Sequence, residues 1–342
     1  MVDSPERFTV TSDFSVLESG SFEGSRVSVG FRPSGELHVG NLLSITYAAV
    51  IAEKLSLALD LFCCDTDWSA PILEQNRPEN SDVMKLFYNR DCPCHPKDSR
   101  ERSFSKKTSE EVFGHDNLPE HRVDEIKPFL KGLKKASGLD FEPGFLTDLT
   151  GDEDYTEALR EILTNMENFD SFFGGAFRRR YRSPVATFCS ECGFSHAKGC
   201  DYSEESDELV ASCRNRDCDA SFMYGKLSEK IGVHYLVDPV RDPSRDVAVH
   251  VFGGDYRDAR KEQKTSKVTK VAKITELATG ETPAYFLGPM ISNEEGKPLS
   301  KSSGTGKTVS EIDDLESYGR QLYRKVENWI KDEKKYLKSS EL

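Results

Sequence analysis

A histidine and two glycines stand where a predicted strand passes into a predicted helix. In "FRPSGELHVGN" a Pro-Ser-Gly turn ends at Gly35, and His38 and Gly40 fall on the first turn of the helix. A helix amino terminus carries unpaired N–H groups and partial positive charge, and it therefore binds phosphate. A glycine there lets a nucleotide lie against the backbone. The alternative is that the glycines only shape a turn and His38 caps the helix.

Four cysteines form two close pairs with the spacing of a zinc site. The predicted ligands are Cys189, Cys192, Cys213 and Cys218. Four thiolates in two such pairs suit a tetrahedral structural zinc, and the glycine after the second cysteine suits a tight knuckle turn. His196 or Cys200, which lie in the spacer between the pairs, could replace one ligand. The alternative is a set of four unrelated buried cysteines.

The predicted elements bring this chemistry to one rim of a parallel sheet. "RVSVG" (26–30) is typical of a buried strand, residues 38–55 have helical periodicity, and "ALDLFCCDTDW" (58–68) is the next apolar run. Strand, tight turn, helix and strand open a nucleotide-binding parallel sheet, whose ligands gather at the carboxyl ends of the strands. We therefore expect His38 and the pair Asp65 and Asp67 on the same rim.

The rest of the chain is predicted to complete the sheet around an insertion. Helical periodicity covers residues 119–137 and 153–168, with a short strand between them, and short β-prone pieces with cysteines mark an insertion over residues 183–230. The later predicted elements are a strand in "VAVHVFGGDY" (247–256), a lysine-rich helix (about 257–279), a strand in "AYFLGPMI" (284–291), a polar loop (292–306) and one or two terminal helices.

Composition excludes several classes of protein. A chain of 342 residues can bury a large core, and a formal net charge of -13 argues against non-specific coating of nucleic acid. No stretch approaches the roughly 20 apolar residues that cross a bilayer, and "MVDSPERFTV" lacks the pattern of a signal peptide. Nine cysteines, an odd number, suit a reducing compartment. The sequence therefore predicts a cytoplasmic protein with no membrane partner.

Four motifs follow one another along the chain: "PSGELHVGN", "CDTDW", "FGGDY" and "KPLSKSSG". With these motifs in this order the chain resembles the class I aminoacyl-tRNA synthetases, and it is most similar to the archaeal-type class I lysyl-tRNA synthetases. The resemblance runs from about residue 26 to residue 306. It implies a ligase of protein biosynthesis that activates lysine or a related amino acid with ATP and Mg²⁺ and transfers it to tRNA.

The resemblance also implies roles for individual residues. His38 would donate to the α-phosphate as it becomes five-coordinate, and Lys301 would take up the leaving pyrophosphate, so both are predicted to be catalytic. The predicted ATP-binding residues are Pro33, Ser34, Gly35, His38, Gly40, Asn41, Gly253, Asp255, Ser300, Lys301 and Ser302. The predicted amino-acid-binding residues are Asp65, Asp67 and Asp238.

An arginine cluster before the cysteine pairs is the candidate contact with RNA. The segment "FRRRYR" supplies Arg178, Arg179, Arg180 and Arg182. Clustered arginines neutralise phosphates, and in this class of enzymes the region flanks the active site, so we expect contact with a tRNA acceptor end. The lysines of the helix at about 257–279 recur every three residues and wrap around it, which favours an ordinary solvated face.

Departures from the family leave alternatives open. Pro298 replaces the first lysine of the Lys-Met-Ser-Lys-Ser motif, Tyr256 replaces a histidine, and the tryptophans of the family's amino-acid pocket are missing from "YLVDPVRDPSRD". Only 38 residues follow Gly304, so no anticodon-binding region is expected. The chain is predicted to be a truncated tRNA ligase, a ligase for another acceptor (a metabolite, carrier protein or modified nucleoside) or a non-catalytic nucleotide- or RNA-binding protein.

The predicted fold class is α/β, with a Rossmann-like parallel sheet, a zinc-bearing insertion and short C-terminal helices. The expected divisions are the first half of the catalytic domain (1–150), the insertion with helices and a zinc knuckle (151–230), the second half with the motif loop (231–310) and a C-terminal helical tail (311–342).

Overall fold

The computed structural model describes residues 8–33, 37–64, 118–149, 152–165, 187–188, 195–196, 200–212, 221–226, 241–242, 244–254, 267–280, 282–293, 295, 307–334 and 336–342. The strands in these residues are β1 (Val10–Thr11), β2 (Arg26–Phe31), β3 (Ala58–Cys63), β4 (Pro143–Phe145), β5 (Thr187–Phe188), β6 (Ser195–His196), β7 (Cys200–Ser203), β8 (Glu208–Ser212), β9 (Ser221–Lys226), β10 (Val247–Phe252), β11 (Ala284–Leu287), β12 (Met290–Ser292) and β13 (Tyr336–Lys338). The α-helices are α1 (Phe14–Ser19), α2 (Val39–Leu55), α3 (Leu118–Ser137), α4 (Glu153–Thr164), α5 (Lys267–Thr279) and α6 (Leu315–Lys331).

Six strands form a parallel sheet in the order β1-β11-β10-β2-β3-β4. From β2 the chain moves outward through β3 to β4, and from β10 it moves the other way to β11. The strand order therefore reverses between β2 and β10. In open parallel sheets, ligands bind in the crevice outside the carboxyl ends of the strands at such a reversal. The predicted parallel α/β sheet is confirmed.

Helix α2 is apolar around its whole circumference, which explains its position in the centre of the protein. Eleven of its residues are buried, from Val39 to Ala52. A helix without a polar face has to be covered on all sides. The core on that side of the sheet combines side chains of β2, β3 and β10 with α2, α3 and α6, and on the opposite side α5 packs against β10 and β11. Helices thus cover both faces of the sheet.

Helices α3 and α6 approach each other at two glycines. A Cβ added to Gly132 would lie 2.1 Å from the carbonyl oxygen of Glu316, and one added to Gly319 would lie 2.6 Å from that of Phe129. The absence of side chains at these positions lets the two backbones touch. Glu316 reinforces the crossing because its carboxylate lies 2.7 Å from Lys135 Nζ and 3.1 Å from Lys131 Nζ.

The structure departs from the predicted elements near the C-terminus. Residues 284–291 were predicted as one strand, but Gly288 and Pro289 divide them into β11 and β12. Pro289 has no N–H to donate to a neighbouring strand, and β12 pairs with β13 instead. The predicted helical tail therefore contains one α-helix, α6, and a short strand.

In the insertion, β5–β6 and β7–β8–β9 form small antiparallel sheets, as the β-prone pieces indicated.

Candidate active site

His38 caps the amino terminus of α2 at the carboxyl edge of the parallel sheet. Its Nδ1 accepts a hydrogen bond from the backbone N–H of Gly40 at 3.0 Å. In return, the Oδ1 atom of Asn41 accepts from the backbone N–H of His38 at 3.2 Å. This reciprocal arrangement satisfies two N–H groups that the helix itself cannot pair. The capping role that the sequence left as an alternative is therefore present.

Capping leaves His38 able to act as a donor. An imidazole nitrogen that accepts a hydrogen bond carries no proton, so in the neutral ring the proton is on Nε2. The cap thus selects the tautomer in which Nε2–H is a donor. The two interpretations of His38 are compatible, because they use different nitrogens of the ring. A role of His38 or Asn41 towards a nucleotide stays a prediction.

Gly40 is required by the ring of His38. A Cβ at position 40 would lie 2.8 Å from Cε1 and 2.9 Å from Nδ1 of His38, and 3.7 Å from Cδ1 of Ile291. Contacts under 3 Å would displace the imidazole and break the cap. The sequence suggested that Gly40 leaves space for a nucleotide, and the structure adds a reason from the neighbouring side chain.

A second segment of the chain is bound to the start of α2. The backbone N–H of Val39 donates to the carbonyl oxygen of Lys307 at 3.0 Å, and that of Val309 donates to Leu37 at 2.9 Å. Together these bonds form an isolated antiparallel bridge between His38 and Thr308. Residues 307–309 therefore lie against the first turn of α2, as does Ile291 of β12.

Glu311 holds Thr308 in this position. Its Oε2 atom accepts from the backbone N–H of Thr308 at 2.6 Å and from the Thr308 hydroxyl at 3.0 Å. These hydrogen bonds, the backbone one first, hold the pKa of Glu311 below its ordinary value. The carboxylate caps the short 3-10 helix Val309–Glu311 and so fixes the strand-like segment that meets His38.

The residues that follow β10 pack against the backbone of Pro289, which lies between β11 and β12. Gly253 and Gly254 follow β10, and a Cβ added to Gly254 would lie 2.1 Å from the carbonyl oxygen of Pro289. The N–H of Gly288 donates to the carbonyl oxygen of Phe252 at 2.9 Å. Gly253 was predicted as a nucleotide contact, and that role stays a prediction. The close approach between Gly254 and Pro289 was not predicted from the sequence.

A buried ion network that the sequence analysis did not predict lies on the face of the sheet opposite α2. Asp242 Oδ2 lies 2.6 Å from His250 Nδ1, and Asp242 Oδ1 accepts from Arg241 Nη2 at 3.3 Å. The Arg241 guanidinium lies 5.2 Å from the ring centroid of Phe62. Arg241, Asp242 and His250 are buried, with exposures of 0%, 1% and 2%. The network attaches the segment before β10 to β10 and β3.

Two signals could have revealed this network. A histidine within the otherwise apolar strand "VAVHVF" requires a buried partner, because an unpaired polar group in a core is costly. The preceding "VRDPSRD" offers the charges. A second pair extends the network, since Arg245 Nη2 lies 3.3 Å from Asp60 Oδ1 of β3. In the strand register, His250, Ser28 and Asp60 stand side by side on β10, β2 and β3.

The insertion contacts α4 at the turn between β7 and β8. Asp207 Oδ1 accepts from the Tyr202 hydroxyl at 2.8 Å and from Arg160 Nε at 3.3 Å. The hydrogen bond that Arg160 donates to Asp207 contributes most to a raised pKa of Arg160. Arg160 belongs to α4, whereas Tyr202 and Asp207 belong to the β7–β8 hairpin. Their partly exposed side chains therefore attach the hairpin to α4.

Many predicted site residues fall outside the described part of the chain. These are Ser34, Gly35, Asp65, Asp67, Arg178, Arg179, Arg180, Arg182, Cys189, Cys192, Cys213, Cys218, Asp238, Asp255, Ser300, Lys301 and Ser302. Among the residues that are described, no group of three or more His, Cys, Asp or Glu side chains could hold a metal ion. The zinc site stays a prediction.

Within the residues that the structure describes, no helix combines the length and apolar character needed to cross a membrane.

Comparisons with known proteins give structural neighbours only. No protein-family model and no curated protein sequence matches the chain. A Campylobacter jejuni protein assigned as an arginyl-tRNA synthetase has 13% identity and a TM-score of 0.36 over 95% of this chain and 69% of its own. An Elizabethkingia meningosepticum glutamate-tRNA ligase has 13% identity and a TM-score of 0.38 over 93% of this chain and 64% of its own.

The Thermus thermophilus arginyl-tRNA synthetase has 13% identity and a TM-score of 0.37 over 98% of this chain and 60% of its own. The chain thus spans between 60% and 69% of the length of these proteins. The neighbours are aminoacyl-tRNA synthetases at low identity. The function of this chain therefore has to be inferred from its own residues.

Proposed function

We propose that the protein activates an amino acid with ATP, forming an aminoacyl-adenylate, and transfers it to an acceptor that is by default tRNA. One observation carries this proposal. At the rim where the strand order reverses between β2 and β10, the start of α2 is held against Ile291 and against residues 307–309. These are the two flanks of the segment that contains "KPLSKSSG".

Chain length sets an upper limit on the distance from Lys301 to this helix start. Lys307, whose carbonyl oxygen accepts from the Val39 N–H, stands six positions after Lys301. An extended chain spans at most about 3.6 Å per residue, so the two Cα atoms lie within roughly 22 Å. A lysine side chain tethered in this way is a candidate for meeting a triphosphate bound at α2.

The proposed reaction is an in-line displacement at the α-phosphorus of ATP. A carboxylate oxygen of the amino acid attacks the α-phosphorus and forms a new oxygen–phosphorus bond. The bond from the α-phosphorus to the oxygen of pyrophosphate breaks. The Nε2–H of His38 and the partial positive charge at the amino terminus of α2 stabilise the charge that develops on the α-phosphate oxygens. The N–H groups of Val39 and Gly40 are already bonded to Lys307 and His38.

Lys301 offers a point charge to the leaving pyrophosphate, flanked by Ser300 and Ser302. Mg²⁺ would accompany ATP and neutralise its phosphates.

The amino-acid pocket is proposed to lie at the ends of β3 and β2. Cys64 follows β3, and its N–H donates to the carbonyl oxygen of Phe31 at 2.8 Å, so pairing with β2 continues to the rim. Asp65 is the next residue, and with Asp67 and Asp238 it would pair with a substrate ammonium group. Carboxylates favour a cationic amino acid, so lysine or a related amino acid is the first to test.

The acceptor is proposed to bind through the arginine cluster at 178–182. A tRNA acceptor end supplies phosphates that such a cluster would neutralise, and the adjacent cysteine pairs would bind Zn²⁺ as a structural ion. Reversing all four arginines to glutamate should abolish transfer and spare adenylate formation, because activation precedes contact with the acceptor. An acceptor minihelix should serve as well as a full tRNA.

The test is amino-acid-dependent exchange of labelled pyrophosphate into ATP, measured with each of the twenty amino acids and followed by an acceptor screen. Exchange with one amino acid and charging of tRNA or its minihelix is the expected result. Exchange without charging of any RNA would favour a ligase for another acceptor. Absence of exchange with all twenty would contradict the proposed reaction and leave a non-catalytic binding protein.

A further inference from the structure

Strand β13 pairs with β12, the strand that contains Ile291. In the register of this parallel pair, Met290 faces Tyr336, Ile291 faces Leu337 and Ser292 faces Lys338. The Ser292 hydroxyl also donates to the carbonyl oxygen of Leu337 at 3.3 Å. Among the described strands β12 pairs with β13 alone. The position of Ile291 therefore depends on β13, where Leu337 lies 45 residues beyond Ser292.

The segment Tyr336–Leu342 is in turn fixed to the end of α6. Lys325 Nζ donates to the carbonyl oxygens of Glu341 at 2.6 Å and Leu342 at 3.3 Å. Lys334 Nζ lies 2.5 Å from Glu341 Oε1. Leu337 is 1% exposed and belongs to the main apolar core. A buried leucine and these polar contacts make the segment a fixed support.

The other side of β12 meets the first turn of α2. Cδ1 of Ile291 lies 3.7 Å from the position that a Cβ on Gly40 would occupy, beside the ring of His38. Ile291 itself packs against the same apolar core as Leu337. These positions link Leu337 through Ile291 to the space beside Gly40 and the ring of His38. A shift of β12 would change the surroundings of the His38 imidazole that caps α2.

We propose that Leu337 of β13 is a positioning residue of the nucleotide site, which acts through Ile291 on Gly40 and His38. This inference rests on the proposed function. Leu337 supports Ile291 from one side, and Ile291 limits where the His38 ring and the first turn of α2 can lie. Geometry at an active site is sensitive to such support, since a displacement of about 1 Å can cost on the order of 10²-fold in rate.

The test compares Leu337→Ala with Tyr336→Ala in the full chain. Tyr336 is 64% exposed on the same strand, so its variant is the matched control. In the pyrophosphate-exchange assay, run well below the unfolding midpoints of both variants, Leu337→Ala should lower kcat/KM for ATP by up to about 10²-fold, in part through a raised KM for ATP, and leave the KM for the amino acid unchanged. Tyr336→Ala should match the wild type in all of these constants.

A second readout follows the first turn of α2 directly. Amide hydrogen exchange at Val39 and Gly40, whose N–H groups are bonded to Lys307 and His38, should become faster in Leu337→Ala and stay unchanged in Tyr336→Ala. Ser292→Ala removes only the bond to the Leu337 carbonyl, so it tests the link from Leu337 to Ile291 without a cavity. It should change both readouts in the same direction and by less.

Two results would overturn the inference. One is a Leu337→Ala protein with a lowered unfolding midpoint but a wild-type kcat/KM for ATP and wild-type amide exchange at Val39 and Gly40, which would make Leu337 a core residue only. The other is an equal effect of Tyr336→Ala. If the wild type exchanges pyrophosphate with no amino acid, the proposed function fails, and amide exchange at Val39 and Gly40 alone decides the positioning role.

Discussion

The Nδ1 atom of His38 accepts a hydrogen bond from the backbone N–H of Gly40 at 3.0 Å, so the imidazole that closes the first turn of α2 carries its proton on Nε2. Helix capping and the proposed phosphate recognition would thus use different nitrogens of one ring. The proposed catalytic role can therefore be separated by substitution from the structural one.

Replacing His38 with asparagine should separate the two roles. Asparagine is a favoured N-cap residue, so His38→Asn should keep the stability of α2, whereas His38→Ala should lose about 0.5–2 kcal/mol of the free energy of unfolding. Both should lower pyrophosphate exchange on the order of 10²–10³-fold, since each removes the Nε2–H donor. Urea denaturation and exchange kinetics measure the two effects. An active His38→Asn protein would show that only the cap matters.

Gly40→Ala should impair the site more than the fold. The added Cβ would meet the His38 ring at 2.8 Å and turn it away from the Gly40 N–H. Loss of the cap is offset by the helix propensity of alanine, about 1 kcal/mol better than glycine, so the change in unfolding free energy should be small. Exchange should fall by on the order of 10²-fold.

Ser44→Ala, one turn further along α2, is the control for Gly40→Ala. It removes only a hydrogen bond from its hydroxyl to the carbonyl oxygen of Gly40 at 3.1 Å and leaves the imidazole in place. Its exchange rate should equal that of the wild type. A Gly40→Ala protein as active as Ser44→Ala would contradict the role given to the ring position.

The cysteine pairs should bind one zinc ion per chain. Four thiolates leave no open coordination position, so the ion should hold the insertion together without taking part in the reaction. Metal analysis of protein purified without added zinc is the measurement. Cys213→Ser should lose the metal and destabilise the insertion, while Cys94→Ser, outside the predicted set, should keep it. Zinc-free protein with an unaffected insertion would refute the prediction.

Glu316 should stabilise the crossing of α3 and α6 in a pH-dependent way. Hydrogen bonds from Lys135 first, then Lys131, with Arg320, lower the pKa of Glu316 to about 2. Because the folded-state pKa lies below the unfolded one, the contribution is complete above the ordinary glutamate pKa and is lost as the pH falls towards 2. Glu316→Gln should therefore unfold more easily than wild type at pH 7, with the difference shrinking below about pH 4.5.

Thermal unfolding across pH measures this difference. Glu18→Gln, which removes one exposed carboxylate from α1, controls for net charge. A constant gap between Glu316→Gln and wild type down to pH 3 would show that ionisation of Glu316 contributes nothing to the crossing.

The sequence predicted the elements whose pattern is local and strong. β2, α2 and β3 were placed within a few residues, because α2 is a long apolar helix and the strands are short apolar runs bounded by turns. The position of His38 at the start of α2 followed from the same pattern. Its tautomer did not, since this depends on which nitrogen meets the Gly40 N–H in three dimensions.

What the sequence could not predict depends on contacts between distant segments. β13 is three residues long in a charged tail, and only pairing with β12 makes it a strand. The histidine in "VAVHVF" signals a buried partner, but the alignment of His250 with Ser28 and Asp60 depends on how three strands pair. The bridge between His38 and Thr308 likewise joins segments 270 residues apart, 308 − 38 in the numbering.

The most direct measurement for the central claim is the pyrophosphate-exchange rate of Lys301→Ala, because Lys301 belongs to the segment whose flanks contact α2. Lys331→Ala, an exposed lysine at the end of α6, is the control. The account predicts that exchange falls on the order of 10²–10³-fold in Lys301→Ala and is unchanged in Lys331→Ala. Exchange by Lys301→Ala within about a factor of two of the wild type, well under the loss of about 10² expected for one electrostatic donor, would contradict it.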